Sequence, residues 1–380
     1  MTSRRTLAAG RGRLGAFIAL LFPVIAACAE PLPVAPQVVS QIAAGWNLGN
    51  SLEAQCGETA WGNPPATQRL IDAVRAAGFN AIRIPAAWDC HADEATLVIE
   101  PAWMARVKQV VDYAYGHGMY VVLNIHWDGG WLENHPTSAF QSVVNSKQRA
   151  YWTQIANAFK DYDQHLLFAG TNEVHANYGT PTPENNTVQQ SFNQTFVDAV
   201  RATGGANASR TLVVQAYNTN IAHGLKFLAL PRDPTPGRLV VEVHFYDPYD
   251  YTLNAKGTCR YWGAPYPAQN PCSWADQTYV DALFREVKAR WVAQGVPVII
   301  GEYGVSRRSH IDLESRQYYL HYINQAAALN GIKTFYWDNG VPPDRDGAFA
   351  LFDRRTGAIV DAGALAAILE GAGRSSPSSR

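Results

Sequence analysis

The stretch His165-Leu166-Leu167-Phe168-Ala169-Gly170-Thr171-Asn172-Glu173 decides how this chain reads. Its run is apolar on both alternating faces, the pattern of a strand buried on both sides in a parallel sheet, and it closes on an amide and a carboxylate. Val296-Pro297-Val298-Ile299-Ile300-Gly301-Glu302 repeats the arrangement. Six similar runs lie at Gly45–Leu48, Ala81–Pro85, Tyr120–Ile125, Thr211–Gln215, Leu239–His244 and Lys333–Trp337. Most are separated by amphipathic segments. Pro101–Gly116 has Pro at a first helical position and Met104, Val107, Val110, Val111 and Ala114 on one face, and Gly118 ends it. Thr67–Ala77, Lys147–Phe159, Asn193–Ala202, Asp276–Val292 and Leu313–Leu329 behave alike. Eight strands alternating with helices predict an α/β fold, a single-domain (β/α)8 TIM barrel. An open doubly wound sheet is the rival, but Gly45-Trp46-Asn47-Leu48-Gly49-Asn50 lacks the spacing of a Gly-rich phosphate turn.

The ends of the chain read differently. Arg4, Arg5, Arg11 and Arg13 precede the apolar stretch Leu14–Ala27, too short to span a bilayer comfortably. Residues 1–28 are therefore expected to be an export signal, and the mature protein to be secreted or periplasmic. Ile25-Ala26-Ala27-Cys28 resembles a lipobox, which would leave Cys28 lipidated, while Ala27-Cys28-Ala29 reads equally as an ordinary cleavage site. Residues 29–38, with Pro31, Pro33 and Pro36, read as a linker, 39–372 as the folded domain and 373–380 as a disordered tail. An exported chain with Cys56, Cys90, Cys259 and Cys272 beyond its signal predicts two disulfides. Cys259 and Cys272 bracket one loop, which leaves Cys56 and Cys90 to tie the loops after the first two strands. A zinc site is the alternative, without C-x-x-C or paired-His spacing to support it.

The net charge of −1 gives nothing to attract a polyanion such as nucleic acid. Neither cofactor nor metal is expected. The 11 Trp, 18 Tyr and 14 Phe are partly explained by core packing, yet Trp61, Trp131, Tyr249, Tyr251 and Trp262 sit in loop-like contexts. Flat aromatic faces beside polar groups suit sugar rings.

Barrel enzymes carry their chemistry at the carboxyl ends of the strands. Those ends hold Trp46-Asn47, Arg83, His126-Trp127, Asn172-Glu173, Gln215 with Tyr217, His244 with Tyr246, Glu302 and Trp337. A lone Arg or His here is more often a satisfied structural group than a functional one. Eight polar or aromatic ends together are not a packing pattern. Two acids on separate strands suit double displacement at a glycosidic bond, in which one carboxyl donates a proton and the other attacks as an anion.

These same residues resemble glycoside hydrolase family 5. The resemblance is carried in order by Gly45-Trp46-Asn47-Leu48-Gly49-Asn50, Ile82-Arg83-Ile84-Pro85, Leu123-Asn124-Ile125-His126-Trp127, Thr171-Asn172-Glu173, Glu242-Val243-His244-Phe245-Tyr246, Ile300-Gly301-Glu302-Tyr303-Gly304 and Phe335-Tyr336-Trp337-Asp338. It implies a retaining endo-β-1,4-glucanase with Glu173 as acid/base and Glu302 as nucleophile. Arg83 and Tyr246 would hold Glu302 as an anion, and Asn172 would bind the sugar 2-hydroxyl. His126 and His244 would line the cleaved subsite and Trp337 would stack beneath its sugar. Glu173 is expected to have a raised pKa, through burial and the charge of Glu302. Trp127 supports the same subsite, and Trp46, Trp61, Trp131, Tyr217 and Trp262 are further subsite candidates. Two positions depart from the family pattern: Val174 replaces the usual Pro after the acid/base, and Gly170 stands where a Glu is common. They imply an atypical subfamily, with xyloglucan and mannan open as substrates beside cellulose-type glucan.

The expected partner is a β-1,4-glucan polysaccharide or oligosaccharide, met by a monomer without a protein partner. A non-catalytic carbohydrate-binding barrel is the alternative of another class, disfavoured because both acids and their neighbours are present. A metallohydrolase built on His126, His175 and His244 lacks the paired ligands such sites use.

Overall fold

Period-two alternation inside short strands sorts the side chains into two cores. On β3 (Tyr120–Asn124), Tyr120 and Val122 point into the barrel, while Val121 and Leu123 join the layer beneath the helices. The computed structural model describes residues 31–266 and 273–375, together with Met1, Thr2 and Thr6. Most of the export signal, including Cys28, lies outside the described residues, as do Cys272 and residues 376–380. The eight parallel strands close in sequence order into a barrel: β1 (Gly45–Asn47), β2 (Ala81–Ile84), β3, β4 (Leu166–Ala169), β5 (Leu212–Asn220), β6 (Leu239–Phe245), β7 (Val298–Tyr303) and β8 (Lys333–Tyr336).

The helices are α1 (Ala35–Ser40), α2 (Gln68–Ala77), α3 (Pro101–Tyr115), α4 (Ser138–Ala158), α5 (Pro183–Ala202), α6 (Ile221–Phe227), α7 (Tyr249–Thr252), α8 (Gln277–Arg290), α9 (Leu313–Leu329) and α10 (Ala362–Gly371). Their apolar faces pack against the outer sheet surface; α2, for example, buries Leu70, Ile71, Val74 and Ala77. The α5 helix begins ten residues before the expected Asn193, because Thr182 caps it in a reciprocal box with Asn185. Polar residues there hide the stripe formed by Val188 and Phe192, which pack with Leu132, Val144 and Val174.

The expected linker over 29–38 gives way to structure at Ala35. Ala35, Val38 and Val39 of α1, with Ile42, fill the amino-terminal end of the barrel against Ala81, Tyr120, Val122, Leu167, Val213, Val240, Ile299 and Phe335. Three prolines marked an irregular segment, but Pro36 instead occupies the first turn of a helix. At this end Gly45 has no room for a side chain, since a Cβ would lie 2.2 Å from the Phe335 ring.

Cys56 and Cys90 are bonded, joining the loops after β1 and β2. Cys259 is also disulfide-bonded.

The plug makes a stability prediction. Val38 is 1% exposed, and Val38→Ala should lower the unfolding free energy by about 1.5–3 kcal/mol, from lost transfer and a residual cavity. Urea denaturation followed by tryptophan fluorescence measures it; a change below about 0.5 kcal/mol, as at an ordinary surface position, would mean the segment is a linker after all.

Candidate active site

Near the carboxyl ends of the strands the barrel interior turns polar. Asn47, Arg83, Asn124, Gln215 and Glu242 each lie two residues beyond an inward-facing neighbour and are fully buried. One irregularity shapes the site. Val243 pairs with Ile300, but His244 pairs with Glu302, so β7 carries one extra residue there. The extra position is Gly301, where a Cβ would lie 1.9 Å from Glu242 Oε1. Its missing side chain gives the Glu242 carboxylate its place.

Arg83 organises what surrounds it. Its Nη1 donates to Glu302 Oε1 at 2.9 Å and to Asn47 Oδ1 at 3.1 Å, and its Nη2 donates to Asn172 Oδ1 at 2.8 Å. Its Nε lies 2.9 Å from Glu242 Oε1, an ion pair rather than an aligned hydrogen bond. The Tyr246 hydroxyl donates to Glu302 Oε2 at 3.1 Å. Asn172 is held from both sides, because its Nδ2 donates to Glu133 Oε2 at 3.2 Å.

Glu173 has φ +36°, a left-handed backbone that is strained for a non-glycine residue and recurs at functional sites. Its Oε1 is 2.6 Å from His244 Nδ1, which is 3.7 Å from Glu302 Oε2. One side-chain polar atom from each of Glu173, His244 and Glu302, a carboxylate oxygen or a ring nitrogen, lies within 4.8 Å of the others. The two acids therefore face each other across a gap suited to direct attack on a sugar, for which carboxyl separations of about 5–5.5 Å are usual. His244 Nε2 lies 3.2 Å from Glu242 Oε1. With a carboxylate at each ring nitrogen, His244 is a cation. Burial opposes that charge, but Glu302, Glu173 and Glu242 outweigh it and raise the pKa to about 10.

The expected pKa order of the two acids is reversed in this arrangement. Burial pushes Glu173 up, yet its hydrogen bond to His244, with the charges of His244 and Arg83, brings it below an ordinary Glu. Burial also pushes Glu302 up, and His244 and Arg83 do not cancel the rise. The reason is directional: the imidazolium proton points at Glu173. The pair titrates as one unit, so its shared proton belongs to both acids. Burial and repulsion from Glu173 raise Glu133 to about 9, so it is a neutral acid at pH 7.

His126 stacks parallel to Trp337, with ring centroids 5.8 Å apart. Burial first, then Arg83 and His244, keep it neutral by holding its pKa well below the usual value. Half-exposed Trp61 lies 5.9 Å from Trp127 across the open rim. Glu173, Glu302, His126, His244, Tyr246 and Trp337 share one cavity of 840 Å³, which runs on past Glu173 to Tyr178, Asn218, Tyr249 and Tyr279.

Three subsite candidates are core residues instead. Trp46 is fully buried, with its indole N–H donating to Asp338. Trp262 is fully buried against Tyr319 and donates to the Ala275 carbonyl. Tyr217 is buried, and its hydroxyl accepts from the Ala176 amide. Tyr251, read as a loop aromatic, is buried too. Trp131 stands between these and the rim residues: partly buried, tied to Asp128, edge-on to Tyr151 and outside the cavity wall. Trp46 lies on β1, Tyr217 on β5 and Tyr251 on α7, while Trp131 and Trp262 lie in loops, and in each case the indole or phenol has an internal partner. The two family departures also have local reasons. Gly170 has Phe196 2.5 Å from where its Cβ would be, and Val174 is fully buried among Leu132, Val144, Val188 and Phe192.

Sequence reasoning gave no role to Glu133, Glu242 or Asn47. Glu242 was open to inference, since it shares a strand face with His244 two residues on. Glu133 lies in an irregular loop with no period to reveal its direction.

Residues 47–342 match the model of the cellulase family, glycosyl hydrolase family 5. This chain belongs to that family. It is a glycoside hydrolase in a fold shared with many solved relatives. A xyloglucan-specific endo-β-1,4-glucanase of Bacteroides ovatus is 40% identical over 88% of this chain and 70% of its own length. Endoglucanase A of Paenibacillus barcinonensis is 36% identical over 89% of this chain and 90% of its own. Among structures, the Bacteroides ovatus family 5 xyloglucanase in complex with a XXXG heptasaccharide superposes with TM-score 0.85 at 39% identity, covering 90% of this chain and 77% of that one. A broad-specificity endoglucanase from Bacteroides salanitronis gives 0.84 at 38%, covering 90% and 96%.

Arg83 makes a testable case. Arg83→Lys keeps the charge but loses the fork, leaving acceptors among Asn47, Asn172 and Glu302 unpaired. Activity should fall about 10–150-fold, the size of one lost hydrogen bond to a charged group. Removing donors from the Glu302 anion raises its pKa, so the acid limb of the pH–rate profile should move to higher pH. An unmoved limb would show that Arg83 does not stabilise the anion.

Proposed function

We propose that this protein is a retaining endo-β-1,4-glucanase, with Glu302 attacking the anomeric carbon and Glu173 protonating the leaving oxygen. The observation that carries the reading is the pair of acids within 4.8 Å at the mouth of the barrel. Attack forms the glycosyl–Glu302 ester as the C–O bond to the leaving sugar breaks and Glu173 gives that oxygen its proton. Water then attacks the same carbon, with Glu173 taking its proton, and frees Glu302. Asn172, oriented by Arg83 and Glu133, meets the 2-hydroxyl, and Trp337 with neutral His126 forms the floor and wall for the cleaved ring.

The leaving sugar lies on the acid's side, so the part of the cavity toward Tyr178, Asn218 and Tyr249 receives the aglycone. Trp61 and Trp127 offer a platform on the opposite, glycone side. The preferred substrates are soluble or amorphous β-1,4-glucans. The relatives named for xyloglucan favour a second reading, in which branched glucan is accepted as well. Export fits a polymeric substrate, and no helix among the described residues is long and apolar enough to cross a membrane. The enzyme acts as a monomer.

Glu173→Gln and Glu302→Gln should each reduce release of reducing ends from barley β-glucan by about 10²–10⁴-fold or more, with circular dichroism unchanged. Normal rates in either would overturn the assignment. Proton NMR of the first product should show the β-anomer; the α-anomer would mean inversion. Assays on carboxymethyl-cellulose, β-glucan, xyloglucan and glucomannan then separate the substrates, with the glucans ahead of glucomannan.

A further inference from the structure

Neither of the two proposed catalytic acids explains Glu242. It is a third carboxylate, fully buried beneath them, and a glycine and a strand bulge make its place. Burying an anion is unfavourable unless cations face it, and both cations of the site do: Arg83 at 2.9 Å and His244 at 3.2 Å, each on Oε1. Its Oε2 makes no well-aligned hydrogen bond, with the Gln215 amide the nearby polar group that bears on the carboxylate. A purely structural anchor for Arg83 has no need of the His244 contact.

Resting on the reading above, we infer that Glu242 is a positioning residue: through His244 it maintains a relay that delivers the proton shared by the two acids to Glu173 and leaves Glu302 ionised. His244 Nδ1–H passes its proton to Glu173 Oε1, 2.6 Å away. The freed Nδ1 lone pair then takes the proton carried by Glu302, whose Oε2 lies 3.7 Å away. Glu173 ends neutral, Glu302 ends as the anion and His244 is again a cation, so no proton is gained or lost. Glu242 holds the Nε2 proton throughout, so exchange is confined to Nδ1 and the ring cannot turn.

Charge counting supports the arrangement. With Glu173, Glu242 and Glu302 ionised and Arg83 and His244 cationic, the cluster carries −1. The single proton that glycoside hydrolysis needs makes it neutral. His175, two residues after Glu173, also bears on Glu173 electrostatically and stands outside this count, and the remaining groups facing the cluster do not alter it. Gln215 from β5 and the Tyr246 hydroxyl are uncharged, and His126 from β3 and Glu133 from the following loop are neutral at pH 7. Removing the Glu242 charge lowers every macroscopic pKa of the cluster, so the proton leaves at lower pH.

The test uses Glu242→Gln, which preserves shape. Cellotetraose needs the acid, whereas 2,4-dinitrophenyl β-cellobioside, with its good leaving group, does not. In the variant, the alkaline limb of kcat/KM for cellotetraose should move about one pH unit toward acid. On the dinitrophenyl substrate, which needs no acid, kcat/KM should show no such shifted alkaline limb, so the displacement is confined to cellotetraose whatever the loss in rate common to both. An unmoved limb with cellotetraose, or the same shift on both substrates, overturns the proposal. If the variant does not fold, nitrogen-15 NMR of the native enzyme decides: His244 should remain doubly protonated at pH 8, and a neutral ring there overturns the relay. Should native enzyme cleave neither substrate, the glucanase reading fails, while the NMR result still stands by itself.

Discussion

Everything at the mouth of this barrel depends on one buried cation. Arg83 has no solvent to balance its charge, so the fold must surround it with acceptors, and these come from several strands: Asn47 on β1, Glu242 on β6, Glu302 on β7, and Asn172 just beyond β4. A guanidinium has a rigid planar fork, so satisfying it fixes the positions of its partners relative to one another. The nucleophile candidate and the amide expected to read the sugar are thus set by the same side chain.

The cost of collecting like charges is met by geometry. Three carboxylates share a small volume with two cations, and a fourth, Glu133, is neutral where it lies. His244 sits between three of them, and burial alone would make it a weak base; the surrounding anions reverse that. Strain collects at the same place. Glu173 has a left-handed backbone, as do Asn218 and Thr219 in the wall of the same cavity. Such conformations persist only where neighbours over-determine them, and here Val174 is locked into a satellite core directly after Glu173.

The barrel was legible because its strands are buried on both faces and short, so each reads as an apolar run with a polar stop. Those stops also exposed Glu173, Glu302, Arg83, His126, Asn172, His244, Tyr246 and Trp337 as a set. The failures were of two kinds. Aromatic residues could not be sorted by context, because an indole beside Gly or Pro packs inward whenever a buried carbonyl or carboxylate is there to take its N–H, as for Trp46 on β1 and Trp262 in its loop. Segments rich in Pro or in polar side chains concealed α1 and the first half of α5, whose capping and packing partners are distant in sequence.

Local order along the chain was sufficient to determine the strands and the polar residues at their carboxyl ends, since apolar runs closed by polar stops are properties of neighbouring residues. Only the closed barrel decided which acid the imidazolium addresses, because that depends on distances between β4, β6 and β7. The slip in register at Gly301 sets those distances. It arises from a contact between two strands, a glycine making room for Glu242, and neither strand carries that information by itself.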